Sequence, residues 1–550
     1  MRTKLVAPVF ICMMIFNAVA GVCAEPQNSV KKKLIELGWD IPTTAYLRQH
    51  WQEMEATAPF DGVVYDLVAT SSEGKKCSSQ SLFSPEPWNR DDFKTCVDDL
   101  NSCQFTRYKN NFVRVNFHPA GFAWTDDDAW RTVCEKVAIC AWVANQTNGD
   151  LCFDFESYGA ALFRYDPGKN LSFDETRALA RKRGAELARA AFNEKADLVV
   201  LCLWMNSINY RSARLSKPNA SLRGAGYGLL PAFIDGMLDA APTTAKFIEG
   251  CENGYYMNGI EEYQRSSLDA KLDSGPGVAL VSPENRGKYR QLVSSGFGFY
   301  LDMYSNPEGS TYYRGPEPGE TRFDRLRVNL KAAWDCADEY VWVYGEQKRW
   351  WAPENGTEWQ SWEEALPGLS EFLLELSDPY SAVVKLREKI TNSPDSKNLI
   401  VNGDFSRVNA AANTAESWGT WRHEESRGSF QVREGAVAIK GDSSACYIQS
   451  FPAEPGRKYL ISGRIAADGD SLGALVARWQ DGAGRWVAES FDTTIEPEES
   501  TPADADGFRE TIGAVVVPDD ARALVLLLSA NSSEPDEIVT FKDVEAYRAD

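Results

Sequence analysis

The stretch GDLCFDFESYG, residues 149–159, ends an apolar run in two carboxylates, Asp154 and Glu156, one residue apart. Cleaving an acetal link between sugars takes one carboxyl group to protonate the leaving oxygen. A second attacks the anomeric carbon or activates water. Carboxylates at the ends of apolar segments are therefore the residues to collect first. Asp40, Asp66, Asp154, Glu156, Glu249, Glu252, Asp302 and Glu346 all stand at such ends. Glu156 is the expected general acid. Strand side chains repeat every two residues, so Asp154 and Glu156 share a face. A neighbouring carboxylate raises a carboxyl pKa, which suits a group that must hold its proton near neutrality. An ion pair from Glu156 to Arg114 is the competing structural role. The second catalytic carboxylate stays open among Asp302, Glu252 and Glu346. Asp40 and Asp66 serve equally well to hold substrate hydroxyls or to pair with Arg, and Glu249 to brace a loop.

Aromatic residues cluster at the same segment ends: Trp39, Trp204, Trp350, Trp351, Tyr255, Tyr256 and Tyr304. Their flat faces suit sugar stacking, and packing between layers is an equal claim on each. Asn116 and His118 add polar groups at another segment end. The expected substrate-binding set is thus Asp154, Asp40, Trp39, His118, Trp204, Tyr256 and Trp350. No cofactor is expected for catalysis. With three His in the chain, a His-based metal site has almost no material.

Positioning these side chains takes regular elements. Short segments rich in β-branched and aromatic residues predict strands at 33–40, 60–68, 111–118, 149–156, 197–204, 245–250, 296–304 and 339–346. Helical patterns follow the first, fourth, seventh and eighth, and the one after the fourth opens with a capping box, Ser172 with Glu175. Eight alternating units predict an α/β fold of the (β/α)8 barrel type, whose C-terminal strand ends carry active sites. A doubly wound open sheet is the alternative, but its nucleotide-binding forms need a Gly-rich first turn, and this one reads GWDIPT. Past Asn392 the pattern changes to short alternating segments separated by turn residues, which predicts an all-β sandwich. The expected boundaries are a leader at 1–24, the barrel at 25–390, a linker at 391–397 and the sandwich at 398–550.

Composition narrows the partners. A formal charge of -21 sets the chain against nucleic-acid phosphates. Arg2 and Lys4, a following apolar run and VCA before Glu25 have the form of a cleavable secretory signal. Val22 is bulky for the residue before a lipidated cysteine, so a lipid anchor at Cys23 is disfavoured. No later run is long enough to span a bilayer, and a secreted or periplasmic location is expected. Cys77, Cys96 and Cys103 fall in a loop-rich region where an oxidising compartment would permit a disulfide.

Two resemblances carry these readings further. The N-terminal part resembles secreted TIM-barrel glycoside hydrolases. Its DFE is similar to the D-x-E closing the family 18 chitinase motif, although Gly149 and Leu151 replace the earlier acids. Barrel hydrolases of the retaining type commonly carry the acid on strand four and the nucleophile on strand seven, which by analogy points to Asp302. The C-terminal part resembles the jelly-roll carbohydrate-binding modules of families 4, 9 and 22, through NLIVNGDFS, YLISGRIAA and FKDVEAYR. That resemblance implies ligand-stacking aromatics, with Trp418, Trp421, Trp479 and Trp486 as candidates, and a structural calcium ion. Together they imply an exported glycoside hydrolase held on polysaccharide by its module. A non-catalytic glycan-binding surface protein on the same architecture is the alternative.

Overall fold

The computed structural model describes residues 31–549 apart from 119–121, 158–160, 355, 395, 410–413, 434, 443, 499–500 and 533. The leader expected at 1–24, and Tyr158, lie outside the described residues.

Strands β1 (Lys33–Gly38), β2 (Gly62–Tyr65), β3 (Phe112–Asn116), β4 (Asp150–Asp154), β5 (Val199–Cys202) and β6 (Lys246–Glu249) pair in parallel in that order. β7 (Val293–Ser295) and β8 (Phe297–Tyr300) are separated by Gly296 alone. β7 pairs with β6, and β8 pairs with β9 (Tyr340–Gly345). β9 returns to β1 over six residue pairs, from Lys33↔Tyr340 to Gly38↔Gly345. The nine-strand parallel sheet therefore curls almost shut, in a barrel-like arrangement. The seventh strand, expected at 296–304, is present as β8 but ends at Tyr300, a helix beginning at Asp302, and β7 precedes the expected bounds. Both faces of such a sheet are covered, which is why its strands read as near-continuous apolar runs.

Helices α1 (Thr44–Thr57), α2 (Lys94–Ser102), α3 (Asp127–Gln146), α4 (Phe173–Glu194), α5 (Leu230–Ala240), α6 (Ile260–Lys271), α7 (Arg322–Cys336) and α8 (Leu369–Ser377) alternate with the strands. The Ser172–Glu175 capping box opens α4 as expected. α5 is buried at every position from Leu230 to Leu238.

Beyond residue 400 lie two five-stranded antiparallel sheets with a second, separate core. One sheet orders 419–422, 445–452, 523–531, 472–480 and 493–495. The other orders 429–433, 436–440, 538–548, 458–467 and 509–516. Tyr447, Leu475, Trp479 and Leu528 from the first meet Val437, Ile461, Val539 and Phe541 from the second. A helix at Pro379–Thr391 joins the two regions. Its Ile390 packs with Leu460 and Ile512 of the second sheet.

The disulfide entertained among Cys77, Cys96 and Cys103 is absent. All ten described cysteines are free thiols, and burial raises Cys77, Cys96 and Cys103 above their ordinary pKa. Cys96 sits in the apolar layer under α2 as a small core residue. Among the described residues no group of three or more His, Cys, Asp or Glu is placed to hold a metal ion. Among the described residues no helix is long and apolar enough to cross a membrane.

Candidate functional site

At the C-terminal ends of the parallel strands lies a cavity of about 350 Å³. Its floor comes from inward-facing strand positions, each beside its register partner: Arg114 with Cys152, Asn116 with Asp154, and Leu37 and Tyr300 with Tyr344. Its walls come from residues just past the strands: Trp39 and Ile41 after β1, Glu156 after β4, Leu203 after β5, Glu252, Tyr255 and Tyr256 after β6, and Glu346 after β9. Tyr312 completes the lining.

Glu156 follows a turn that Asp154 builds. The Glu156 backbone N–H donates to Asp154 Oδ1 at 2.9 Å, which steers the chain out of the strand. Asp154 is buried, and its pKa rises to about 6. Burial is the main cause and the Glu156 charge adds to it, while the Glu156 N–H and Arg114 oppose. Arg114 is occupied elsewhere: its Nε and Nη2 donate to the two oxygens of Asp66 at 2.9 and 2.8 Å. The ion pair considered for Glu156 is thus taken by Asp66.

Glu252 is held by an unusual piece of backbone. Cys251 sits in the left-handed region at φ 39°, a costly conformation for a residue with a Cβ. The Glu252 N–H donates to the Leu203 carbonyl at 3.0 Å, pinning the turn to the end of β5. The turn lies so close to β8 that a Cβ on Gly254 would stand 2.5 Å from the Gly298 carbonyl oxygen. Trp342, fully buried below, donates its indole N–H to the Gly250 carbonyl at 2.8 Å. So placed, the Glu252 carboxyl is pushed up to about 9, by burial first and then by the charges of Glu156 and Asp154. A carboxyl that keeps its proton at neutrality, beside an Asp154 whose pKa is about 6, is the pairing that acid–base chemistry requires.

Glu346 closes the ring. It accepts from the Tyr344 hydroxyl at 3.1 Å, and that hydroxyl accepts from the Trp39 indole N–H at 2.9 Å. Burial raises the Tyr255, Tyr300 and Tyr344 phenols far above their ordinary range, and carboxylates add to it: Glu252 at Tyr255, Asp302 at Tyr300, Glu346 at Tyr344. All three remain neutral hydroxyl donors.

The sequence-derived set divides cleanly. Glu156, Glu252, Glu346, Asp154, Trp39 and Tyr256 line the cavity. Asp302, Asp40, Trp204, Trp350 and His118 do not. Asp302 is fully buried and accepts from the Glu346 and Gln347 N–H groups at 2.8 and 3.3 Å, so it braces the loop carrying Glu346. Asp40 accepts from the Trp350 N–H at 2.6 Å, and its backbone carbonyl accepts from the Trp351 indole at 2.7 Å. Trp350 packs edge-on against Phe60, and Trp204 packs against Tyr227. His118 is exposed beyond the end of β3. Glu249 is buried and braces the Met205–Ser207 segment through three hydrogen bonds. Tyr300, Tyr312 and Tyr344 went unread. For Tyr344 a signal existed, since it stands two residues before Glu346.

The C-terminal tryptophans also divide. Trp418 and Trp479 belong to the core. Trp421 and Trp486 are half exposed. Trp421 pairs with Cys446, which pairs with Ser529 and so with Ala474, and alternation puts Ile448, Leu527, Val476 and Arg478 on that same outer face. The Arg478 guanidinium lies 4.5 Å from the centroid of the Trp486 ring.

No family model matches the chain, and no curated protein matches it. Among solved structures, a carbohydrate-binding module titled "CBM4 structure and function" is 21% identical with a TM-score of 0.21. The match covers 27% of this chain and 99% of that one. The CBM22-1 xylan-binding domain of Paenibacillus barcinonensis Xyn10C is 9% identical with a TM-score of 0.21, over 28% of this chain and 97% of that one. The enzymatically active domain of tailspike protein 4 from bacteriophage CBA120 is 16% identical with a TM-score of 0.22, over 27% of this chain and 21% of that one. Each likeness spans just over a quarter of the chain.

Proposed function

We propose that the protein is an exported glycoside hydrolase, and that its barrel-like sheet is a (β/α)8 barrel with β7 and β8 as one interrupted strand. In this reading residues 25–390 form the catalytic domain, and residues 398–550 form a jelly-roll module that holds the enzyme on polysaccharide. The observation that carries the reading is Glu252: a carboxyl kept protonated to about pH 9, in one cavity with Glu156 and Asp154. Glu252 then protonates the glycosidic oxygen. Glu156 works from the other side of the anomeric carbon, as nucleophile or as the base for water. This exchanges the role first expected of Glu156, because a proton donor must hold its proton at working pH and Glu252 is the group placed to do so. Asp154 fixes the Glu156 backbone, and Glu346 and the tyrosine hydroxyls hold sugar hydroxyls.

The test is turnover on a panel of aryl glycosides and polysaccharides by the full chain and by Glu252→Gln and Glu156→Gln. Wild-type hydrolysis with a loss of at least about a hundredfold in each variant is expected. For Glu252→Gln, substrates with a good leaving group should lose less, since they need less protonation. Wild-type binding to glycans without cleavage of any would leave the non-catalytic reading instead.

A further inference from the structure

A site that reads sugars must also accept or refuse their charged substituents. Four carboxyl side chains ring the cavity: Asp154, Glu156, Glu252 and Glu346. Among the described lining residues the single cation is Arg114, and its Nε and Nη2 are both committed to Asp66. No lysine stands among them. The remaining polar surface is made of tyrosine hydroxyls, the Trp39 indole and Asn116, whose Oδ1 is buried without a partner. An acidic substituent would enter beside Asp154, Glu156 and Glu346, with the Arg114 charge already offset by Asp66. Desolvation adds to the repulsion, because like charges weigh more where water is scarce. The chain's net charge of -21 acts in the same direction at long range. At about 350 Å³ the cavity is near the lower end of ligand pockets, which suits one or two sugar rings.

From this charge pattern we infer that the sugar unit bound in the cavity is uncharged or amine-bearing, and that uronate and sulfated units are excluded. The inference rests on the glycan reading of the site and adds the class of substrate to it.

The experiment measures binding and turnover separately. Full-chain protein is titrated calorimetrically at low salt with matched oligosaccharides: uncharged, amine-bearing and uronate members. Binding is assigned to the cavity where Trp39→Ala removes it, which separates it from any binding by the C-terminal sheets. Uncharged or amine-bearing members should bind at least about a hundredfold more tightly than the uronates. In Asp66→Asn, which frees the Arg114 guanidinium, that gap should narrow about tenfold. Asp66→Ala provides a second variant should the first fail to fold. Uronate binding in the cavity within threefold of the uncharged members overturns the inference, as does failure of every uncharged and amine-bearing member to bind there. Selective binding without cleavage sustains it while overturning the hydrolase reading.

Discussion

Glu252→Gln should make the protein more stable while disabling it. Folding moves the Glu252 carboxyl from an ordinary 4.5 to about 9. Between those values the folded chain holds a proton that the unfolded chain has released. Stability contributed by this group is therefore highest below its unfolded pKa and falls as pH rises, by about 1.4 kcal/mol per pH unit. Near neutrality the accumulated burden is about 3 kcal/mol. Glutamine has nearly the same shape and no proton to lose, so it removes the burden and leaves the packing. The assay is urea unfolding followed by tryptophan fluorescence, for wild type and variant, at several pH values from about 4 to 8. The two should coincide at the acid end. The variant should then gain steadily, reaching about 3 kcal/mol near pH 7. A difference independent of pH, or a variant less stable near neutrality, would refute the assignment of a buried, protonated Glu252. A gain in stability bought by loss of activity is a pattern expected at active sites.

Asp302→Ala should cost about 1–3 kcal/mol in the same unfolding assay, because it removes the acceptor of the part-buried Glu346 and Gln347 N–H groups. Asp302→Asn keeps an acceptor and should cost less, so equal losses in the two variants would count against the bracing role. Trp421→Ala combined with Trp486→Ala should weaken adsorption to insoluble polysaccharide at least about tenfold while leaving hydrolysis of small aryl glycosides unchanged. Pull-down on the polysaccharide measures the first and a chromogenic assay the second; unaltered adsorption would remove that face from the binding account.

Much of the frame was legible because parallel strands buried on both faces announce themselves as apolar runs. Each of the eight predicted strands falls on an observed strand segment, trimmed by a residue or more at one end or both. α5 was not among the predicted helices: it is a short, mostly apolar segment, and a short apolar run reads as strand or helix alike. Strand-end logic found Glu156, Glu252 and Glu346. It also drew in Asp302 and Asp40, because the sequence places a carboxylate at a strand end but does not say which backbone N–H groups will claim it. Both are claimed, Asp302 by residues 346 and 347, and Asp40 by residue 350. The raised pKa of Glu252 had no local signal. It arises from the left-handed Cys251, the glycine contact at 254 and the charges of residues about a hundred positions earlier.

The seam between β1 and β9 sets a condition on how the chain acquires its structure. Six consecutive pairs join residues 33–38 to residues 340–345, so the first strand of the barrel-like sheet has one neighbour supplied from about three hundred positions away. A chain still lacking residue 345 leaves an edge of Leu34, Ile35 and Leu37 unpaired. Pairing at such sequence separation is slow, since loop closure must precede any reward. Until then that edge is open to other strands. Protein synthesis therefore passes through a long interval in which the seam stays open, and the cavity, whose wall includes Trp39 from one side of the seam and Glu346 from the other, comes into being only at its end.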